Sequence, residues 1–474
     1  MVAIPIPLSS APGLNTQESA GRLINCFAEP LQRAKAKGAP PVAKFIRVPG
    51  LEGFATSDQT IFRGMIEVSG VLYVAFKNKL YVTTSVGGAM TLFDDLDGEL
   101  PVYFARNNAA SPDIVVVTDD GAFIINVGSG NIIPYPDGDL PQPTSVFSVD
   151  GYFVFPIGDG SVYASGLNVT SVDPLSFGQA ETKPDPMVRG VNYGGQPLFF
   201  GSQTLEFWQD VGASPFPFQR ASSVPFGLLG IDAVAGWEDG FGAGLLFVSH
   251  DCCVRSIKGY EAEKVSPPDL DRLIQRDANK DSILASVHIV DGHSMWTVTG
   301  STWTWEFDLN TGKWHERASY ETNRWRGLQT WRAYEKWLIG DRNSGNVYEV
   351  CVTCYDEAGD PLILRIETGP VEKFPSRMAV ARADFNMTMG VGVTTGTDPI
   401  QTDPIVEISW SNNGGVDWSN ALFRPMGREA RADNKVSVYR TGLTGRQGRR
   451  WRLAIPSPVY CAVLGGDQSA DLRR

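Results

Sequence analysis

Residues 291–314 read DGHSMWTVTGSTWTWEFDLNTGKW. An Asp-Gly turn opens the stretch, and the apolar core Ser294 to Thr299 follows it. After a second turn comes the partner Thr302 to Phe307, and a Gly-containing turn then leads to Trp314. Core, turn and partner make a β-hairpin, and the last turn adds an outer strand.

The unit recurs. Cores of the same kind begin at Val71, Asp113, Tyr152, Pro197, Leu245, Ser294 and Lys336, separated by 42, 39, 45, 48, 49 and 42 residues. Partner strands follow at Lys79 to Val82, Ala122 to Ile125, Ser161 to Ala164, Thr204 to Phe207, Thr302 to Phe307 and Asn346 to Val350. A period of this size with all-strand content indicates a β-propeller of four-stranded blades. The alternative is a β-sandwich or a string of small β domains, over which seven units at near-regular spacing favour the propeller. The expected fold is all-β, a six- or seven-bladed propeller, because the first and last units can share a blade. One stretch reads as helix, Pro267 to Arg276, with prolines ahead of it and acids in its first turn.

Outside the repeat, residues 1–50 read as a turn-rich N-terminal arm, with Ala34 to Pro41 as an exposed loop. The propeller occupies 51–370, and a C-terminal β domain, 371–474, is expected to make ring and adaptor contacts. In that domain Ile405 to Trp410 reads as strand, and Ser411, Asn413, Gly415 and Trp418 have the spacing of an Asp-box hairpin turn, which is structural rather than catalytic.

The formal charge is -12 and unevenly spread: residues from Val371 onward carry 14 basic against 10 acidic side chains, the others 27 against 43. Affinity for duplex DNA comes largely from cations on phosphates, so the acidic part is a poor DNA-binding surface and a suitable wall for DNA to slide past. The start, MVAIPIPL, has no basic region or long apolar run, and no window is apolar enough for a membrane helix. Synthesis in the cytoplasm without signal peptide or transmembrane segment is expected. Of six cysteines, Cys351 and Cys354 form a C-x-x-C without the further ligands of a zinc site. Read as strand, VCVTC points the two thiols to opposite faces, as structural cysteines.

No catalytic constellation emerges. His250, His288, His293 and His315 are scattered, and the G-x-S-x-G elbow, P-loop and Rossmann fingerprints are missing. Arg63, Arg106, Arg189 and Arg255 recur near blade starts, which a sialidase arginine cluster would require, but inter-blade pairs or ring contacts explain them as well. No catalytic, cofactor-binding or metal residue is assigned and no cofactor is expected. The alternative function is a carbohydrate- or receptor-binding propeller, less plausibly a glycoside-cleaving one. Its sugar-stacking platform would use Trp303, Trp305, Trp314, Trp325, Trp331 and Trp337, although blade packing accounts for most of them.

Asn25 to Leu31 has the form N-x-x-x-E-P-L, and Pro49-Gly-Leu51 leads into the first strands. The propeller-like repeats follow, then the S-x-N-G-G-x-x-W turn, the basic Arg449-Arg-Trp-Arg452 and Pro456-Ser-Pro-Val459. In order, spacing and length this resembles the hub or nozzle proteins of short-tailed phages, the packaged-DNA stabilisation proteins; NGG stands where that family has DGG. The resemblance implies a structural virion protein, a homo-hexameric ring below the portal and adaptor (head-to-tail connector) proteins. It would retain packaged DNA, dock the tail needle, tailspikes or fibres, and conduct genomic double-stranded DNA at ejection without sequence-specific binding. No small-molecule substrate is implied. Arg446, Arg449, Arg450 and Arg452 are expected at a subunit interface against acidic propeller surface. The loops Gly390 to Thr397 and Ser214 to Phe218 are the candidate gates.

Overall fold

The computed structural model describes residues 1–31, 43–84, 88–180 and 182–473. The loop expected at Ala34 to Pro41 lies outside them. Seven four-stranded antiparallel meanders dominate. Six span 62–95, 103–134, 147–179, 187–224, 234–264 and 284–316. The seventh takes three strands from 327–351, and its fourth is the strand Gly50–Thr56 from the beginning of the chain.

The apolar cores read from the sequence are the second strands of these meanders, such as Val71–Phe76, Tyr152–Pro156 and His293–Thr299. Their near-continuous apolar content has a simple cause: both faces of each sheet are covered. Ile66 and Tyr73 of the first meander pack on Ile114 and Val116 of the second. Val115 and Val117 of the second pack on Phe153 and Phe155 of the third, and Val154 and Val162 of the third on Phe199 and Trp208 of the fourth. One large cluster spans the fourth to the seventh, with Phe200, Phe247, Trp296 and Ile339. Phe54, Leu338 and Val347 of the seventh close on Phe62 and Val74 of the first. The inner strand Gly327–Ala333 accordingly contacts Phe62–Val68. The approach is close at Gly340, where a Cβ would come within 2.3 Å of the Phe62 ring.

The remaining strands build a second β unit. Cys26–Pro30, Ala43–Arg47, Ala462–Gln468, Arg377–Met387 and Val436–Leu443 form one sheet path. In the other, Arg22–Ile24 pairs with Leu364–Glu367, followed by Arg450–Ile455, Ile405–Ser411 and Leu422–Pro425. The first residues are therefore not an arm standing apart. Leu23, Cys26, Ala28 and Phe45 lie in one core with Val380, Val406, Trp451 and Leu453. Strands this short carry no sign in the sequence of partners more than 300 residues away. The helix is present at Pro268–Arg276, burying Leu270 and Ile274.

The C-x-x-C departs from its expected strand geometry. The strand Asn346–Cys351 ends at the first cysteine, and the chain turns so that Cys351 and Cys354 form a disulfide, Cα atoms 5.3 Å apart. Among the described residues the one grouping of metal-ligand side chains is this pair with Glu52, and in the disulfide neither sulfur is a thiolate. The bond sits where the seventh meander receives its fourth strand, since the Gly50 amide donates to the Cys354 carbonyl at 3.0 Å. It closes a very short loop, so reduction is expected to cost at most about 2 kcal/mol. Faster hydrogen exchange along Gly50–Thr56 after reduction is the expected outcome; unchanged exchange there would contradict it.

Candidate functional site: the ring axis and a buried charge cluster

The inner strands converge on a mouth of about 360 Å³, lined by Ile66, Arg106, Val149, Arg189, Trp237 and Trp331 among others. Beneath it the groups interlock. Arg189 donates to the Ile231 carbonyl (2.9 Å) and to Asp232 (3.2 Å), and Tyr103 donates to the same carboxylate at 3.0 Å. The Arg189 guanidinium also lies over the rings of Tyr103 and Trp237, at 4.6 and 5.5 Å. Burial raises the Asp232 carboxyl above its usual range against the pull of Arg189. Burial likewise pushes Glu238 up to about 7, only partly offset by the Gly236 amide. These links tie the second, fourth and fifth meanders together at the axis.

The recurring arginines do not form one cluster. Arg63 is buried and donates to the carbonyls of Lys77, Leu96 and Leu100 and to Asp119, fastening the first meander to the second. Arg189 does the same between the fourth and fifth. Arg255 pairs locally with Asp251 and lies 3.5 Å from the centre of the Phe226 ring, while Arg106 is exposed at the mouth.

The histidines, expected to stay apart, partly converge. Glu306 is fully buried and meets Arg317 Nη1 at 3.1 Å, His315 Nε2 at 2.7 Å and Thr297 Oγ1 at 2.8 Å. His288 Nε2 lies 3.5 Å from the same carboxylate without forming a hydrogen bond. Arg317 also donates to the Pro49 carbonyl at 2.9 Å and stacks 3.6 Å from the Trp325 ring, whose indole donates to Glu357. Burial opposes the charge on Glu306, but Arg317 and the two imidazoles outweigh it and hold the carboxyl well below its usual range. Burial pushes His288 down to about 4, against the pull of Glu306 and with help from Arg317 and His315. The cluster clamps the sixth meander to the chain entering the propeller at Pro49 and to the chain leaving it at Glu357. His293 pairs separately with Asp308 at 2.9 Å.

A pH effect follows. Unfolded His288 takes up a proton near 6.5, the folded one only near 4. Its contribution is whole above pH 6.5 and is lost as the pH falls toward 4, on the order of 2 kcal/mol by pH 5. Urea titrations at pH 8 and pH 5 should show His288→Phe losing less stability across that interval than the parent. Equal losses would contradict the assignment.

Most of the proposed sugar platform is core. Trp303, Trp305, Trp314, Trp325 and Trp337 are buried, and Trp331 is half-buried against Trp237. The basic C-terminal segment is also used inside the chain. Arg449 donates to Asn412, Thr441 and Leu443; Arg450 donates to Thr16, Ser19, Thr368 and Gly414. Arg452 pairs with Glu367 and covers Trp418, leaving Arg446 exposed. Residues 411–418 form the expected hairpin turn, with Ser411 and Asn413 accepting the amides of Gly415 and Asp417. Of the candidate gates, Ser214 to Phe218 is held by Phe216 and Phe218 against Trp208 and Tyr152, whereas Gly390 to Thr397 is a loop of the second β unit. A cleft of about 780 Å³ lies between Pro12–Leu14, the helix and the sixth meander; the ion pairs Arg22–Glu316 and Arg272–Asp269 stand in its lining.

Among solved structures, the extracellular domain of the putative one component system BT4673 from B. thetaiotaomicron is similar over 64% of this chain and 40% of its own, at 9% identity and TM-score 0.45. The chain thus spans two-fifths of that structure. The computationally designed Ika8 protein is similar over 73% of this chain and 100% of its own, at 11% identity and TM-score 0.40. YCF48 bound to D1 peptide is similar over 64% and 97%, at 10% identity and TM-score 0.40. No curated protein sequence matches. No described helix is long and apolar enough to cross a membrane. The sequence pattern of one family, described as bacteriophage P22 Gp10, β-propeller, matches residues 21–355, which takes in the strand entering at Arg22 and all seven meanders. The chain belongs to this phage-stabilisation family.

Proposed function

We propose that the chain is a seven-bladed propeller serving as the hub, or nozzle, of the tail. In this reading it forms a homo-hexameric ring below the portal and adaptor, retains the packaged genome, docks the needle, spikes or fibres, and conducts DNA at ejection without catalysis. The blade count rests on the seven meanders and on the packing of the seventh against the first.

The observation that carries the reading beyond family membership is the stoppered axis. A mouth of about 360 Å³ above the Arg189–Asp232–Tyr103 links cannot admit a duplex whose major groove alone is about 12 Å wide. DNA would have to pass between copies, through a lumen that several chains enclose, with the propellers flanking it. The acidic balance of residues 1–370 suits such a wall, because it offers few cations to hold phosphates. Electron microscopy of virions carrying a tagged copy tests the placement. Density for several copies below the adaptor is expected; a location on the head, or a single copy, would overturn the proposal.

A further inference from the structure

Besides Arg431, Lys435 and Arg440, which are also exposed, three cations of the C-terminal residues gather at one corner. Arg449 and Arg450 are spent on internal carbonyls, Arg452 on Glu367, Arg382 on Asp384 and Arg428 on Asp403. Lys373, Arg377 and Arg446 are exposed and make no ion pair or hydrogen bond through their side chains among the described residues. Backbone pairing brings them together. The turn at 373–376 is closed by a Lys373–Ser376 bridge and the turn at 445–448 by a Gly445–Gly448 bridge. The Val371–Arg449 bridge and the Ala379–Leu443 pair set the two turns side by side. Phe374, 75% exposed, and Leu443, 49% exposed, stand on the same corner.

A patch of opposite character lies on the first meander. Its outer strand Thr91–Asp95 and the loop beyond it present Asp95, Asp97 and Glu99, all exposed and without an ion pair among the described residues. Leu92 and Leu100 flank them, 48% and 61% exposed. Each patch thus couples three like charges with two large apolar side chains; the corner also holds the exposed Glu372, and the balance of sign is opposite on the two patches.

We propose that the corner Lys373, Phe374, Arg377, Leu443 and Arg446 of one copy docks on the Leu92–Leu100 edge of the next copy. The two surfaces differ, so the contact is head-to-tail, the kind that generates a ring when the rotation closes. The apolar pairs supply buried area, while the charges set register and exclude the like-with-like pairing of two corners or two acidic edges. The proposal rests on the ring reading above.

The test reads the amount of this protein in virions from a host supplying variants in trans. One variant carries Lys373→Glu, Arg377→Glu and Arg446→Glu; the other carries Asp95→Lys, Asp97→Lys and Glu99→Lys. Each alone should lower incorporation by about tenfold or more, whereas the two supplied together should restore it with both present. All six positions are exposed, so purified variants should unfold at the parental temperature, and rescue in the mixture independently requires folded chains. Normal incorporation of either variant alone, or two folded variants without mutual rescue, overturns the proposal and leaves the ring standing. A parental protein present at one copy per virion overturns the ring itself.

Discussion

Replacing Glu306 with alanine should lower the folding stability by about 3–5 kcal/mol, because it strands Arg317 and His315 in a fully buried site. The carboxylate is the common acceptor for the Arg317 guanidinium, the His315 imidazole and the Thr297 hydroxyl, at a site with no exposure to bulk water. Two strand connections depend on it, since the same guanidinium holds the Pro49 carbonyl. Glu306→Gln should recover part of the loss by keeping an acceptor while giving up the charge. Urea titration followed by tryptophan fluorescence reads both variants, because Trp325 lies against Arg317. A loss below about 1 kcal/mol for Glu306→Ala would mean the cluster does not clamp the sixth meander.

Arg450→Ala carries the next largest effect, about 3 kcal/mol. Its guanidinium is buried and reaches Thr368 O at 2.9 Å, Thr16 O at 2.6 Å, Gly414 O at 3.0 Å and Ser19 Oγ at 2.9 Å. Four acceptors from three distant segments lose their donor together; the Thr368 and Gly414 carbonyls are buried, while Thr16 O and Ser19 Oγ keep the amides of Ser19 and Gly21. Lysine cannot replace it, since a single ammonium lacks the planar spread of donors that reaches both Thr368 and Thr16. Hydrogen exchange should accelerate at residues 16–19 and 411–415 in Arg450→Ala and Arg450→Lys alike. Parental exchange in Arg450→Lys would show that charge alone suffices there.

These two sites differ in how legible they were. The second strands could be read because they are covered on both faces, as in Ile114–Thr118, where every residue is buried. The outer strands could not be read as well, since one face is solvated and Phe218–Val224 is mostly polar. The fifth meander begins with a two-residue strand, Val234–Ala235, too short for any pattern. The Glu306 cluster was within reach. The turn after Asp308 pairs that residue with Lys313, which places Glu306 opposite His315 by cross-strand register alone. His288 and Pro49 could not be added, because they arrive from another strand and from the far end of the chain. The arginines of 449–452 were misplaced for a related reason. A basic strand looks like a surface strand until the carbonyls of Thr16, Thr368 and Gly414 are seen to surround it.

The ring reading joins these parts. In the proposed ring, the strand Gly50–Thr56 completes the seventh meander, Glu306 clamps the sixth, and DNA would pass between copies rather than through the mouth at the inner strands. The most direct measurement is the DNA content of virions assembled without this protein, followed over time after lysis. Particles that package a full genome and then lose it are predicted. Particles that lack the protein and keep their genome would contradict the account.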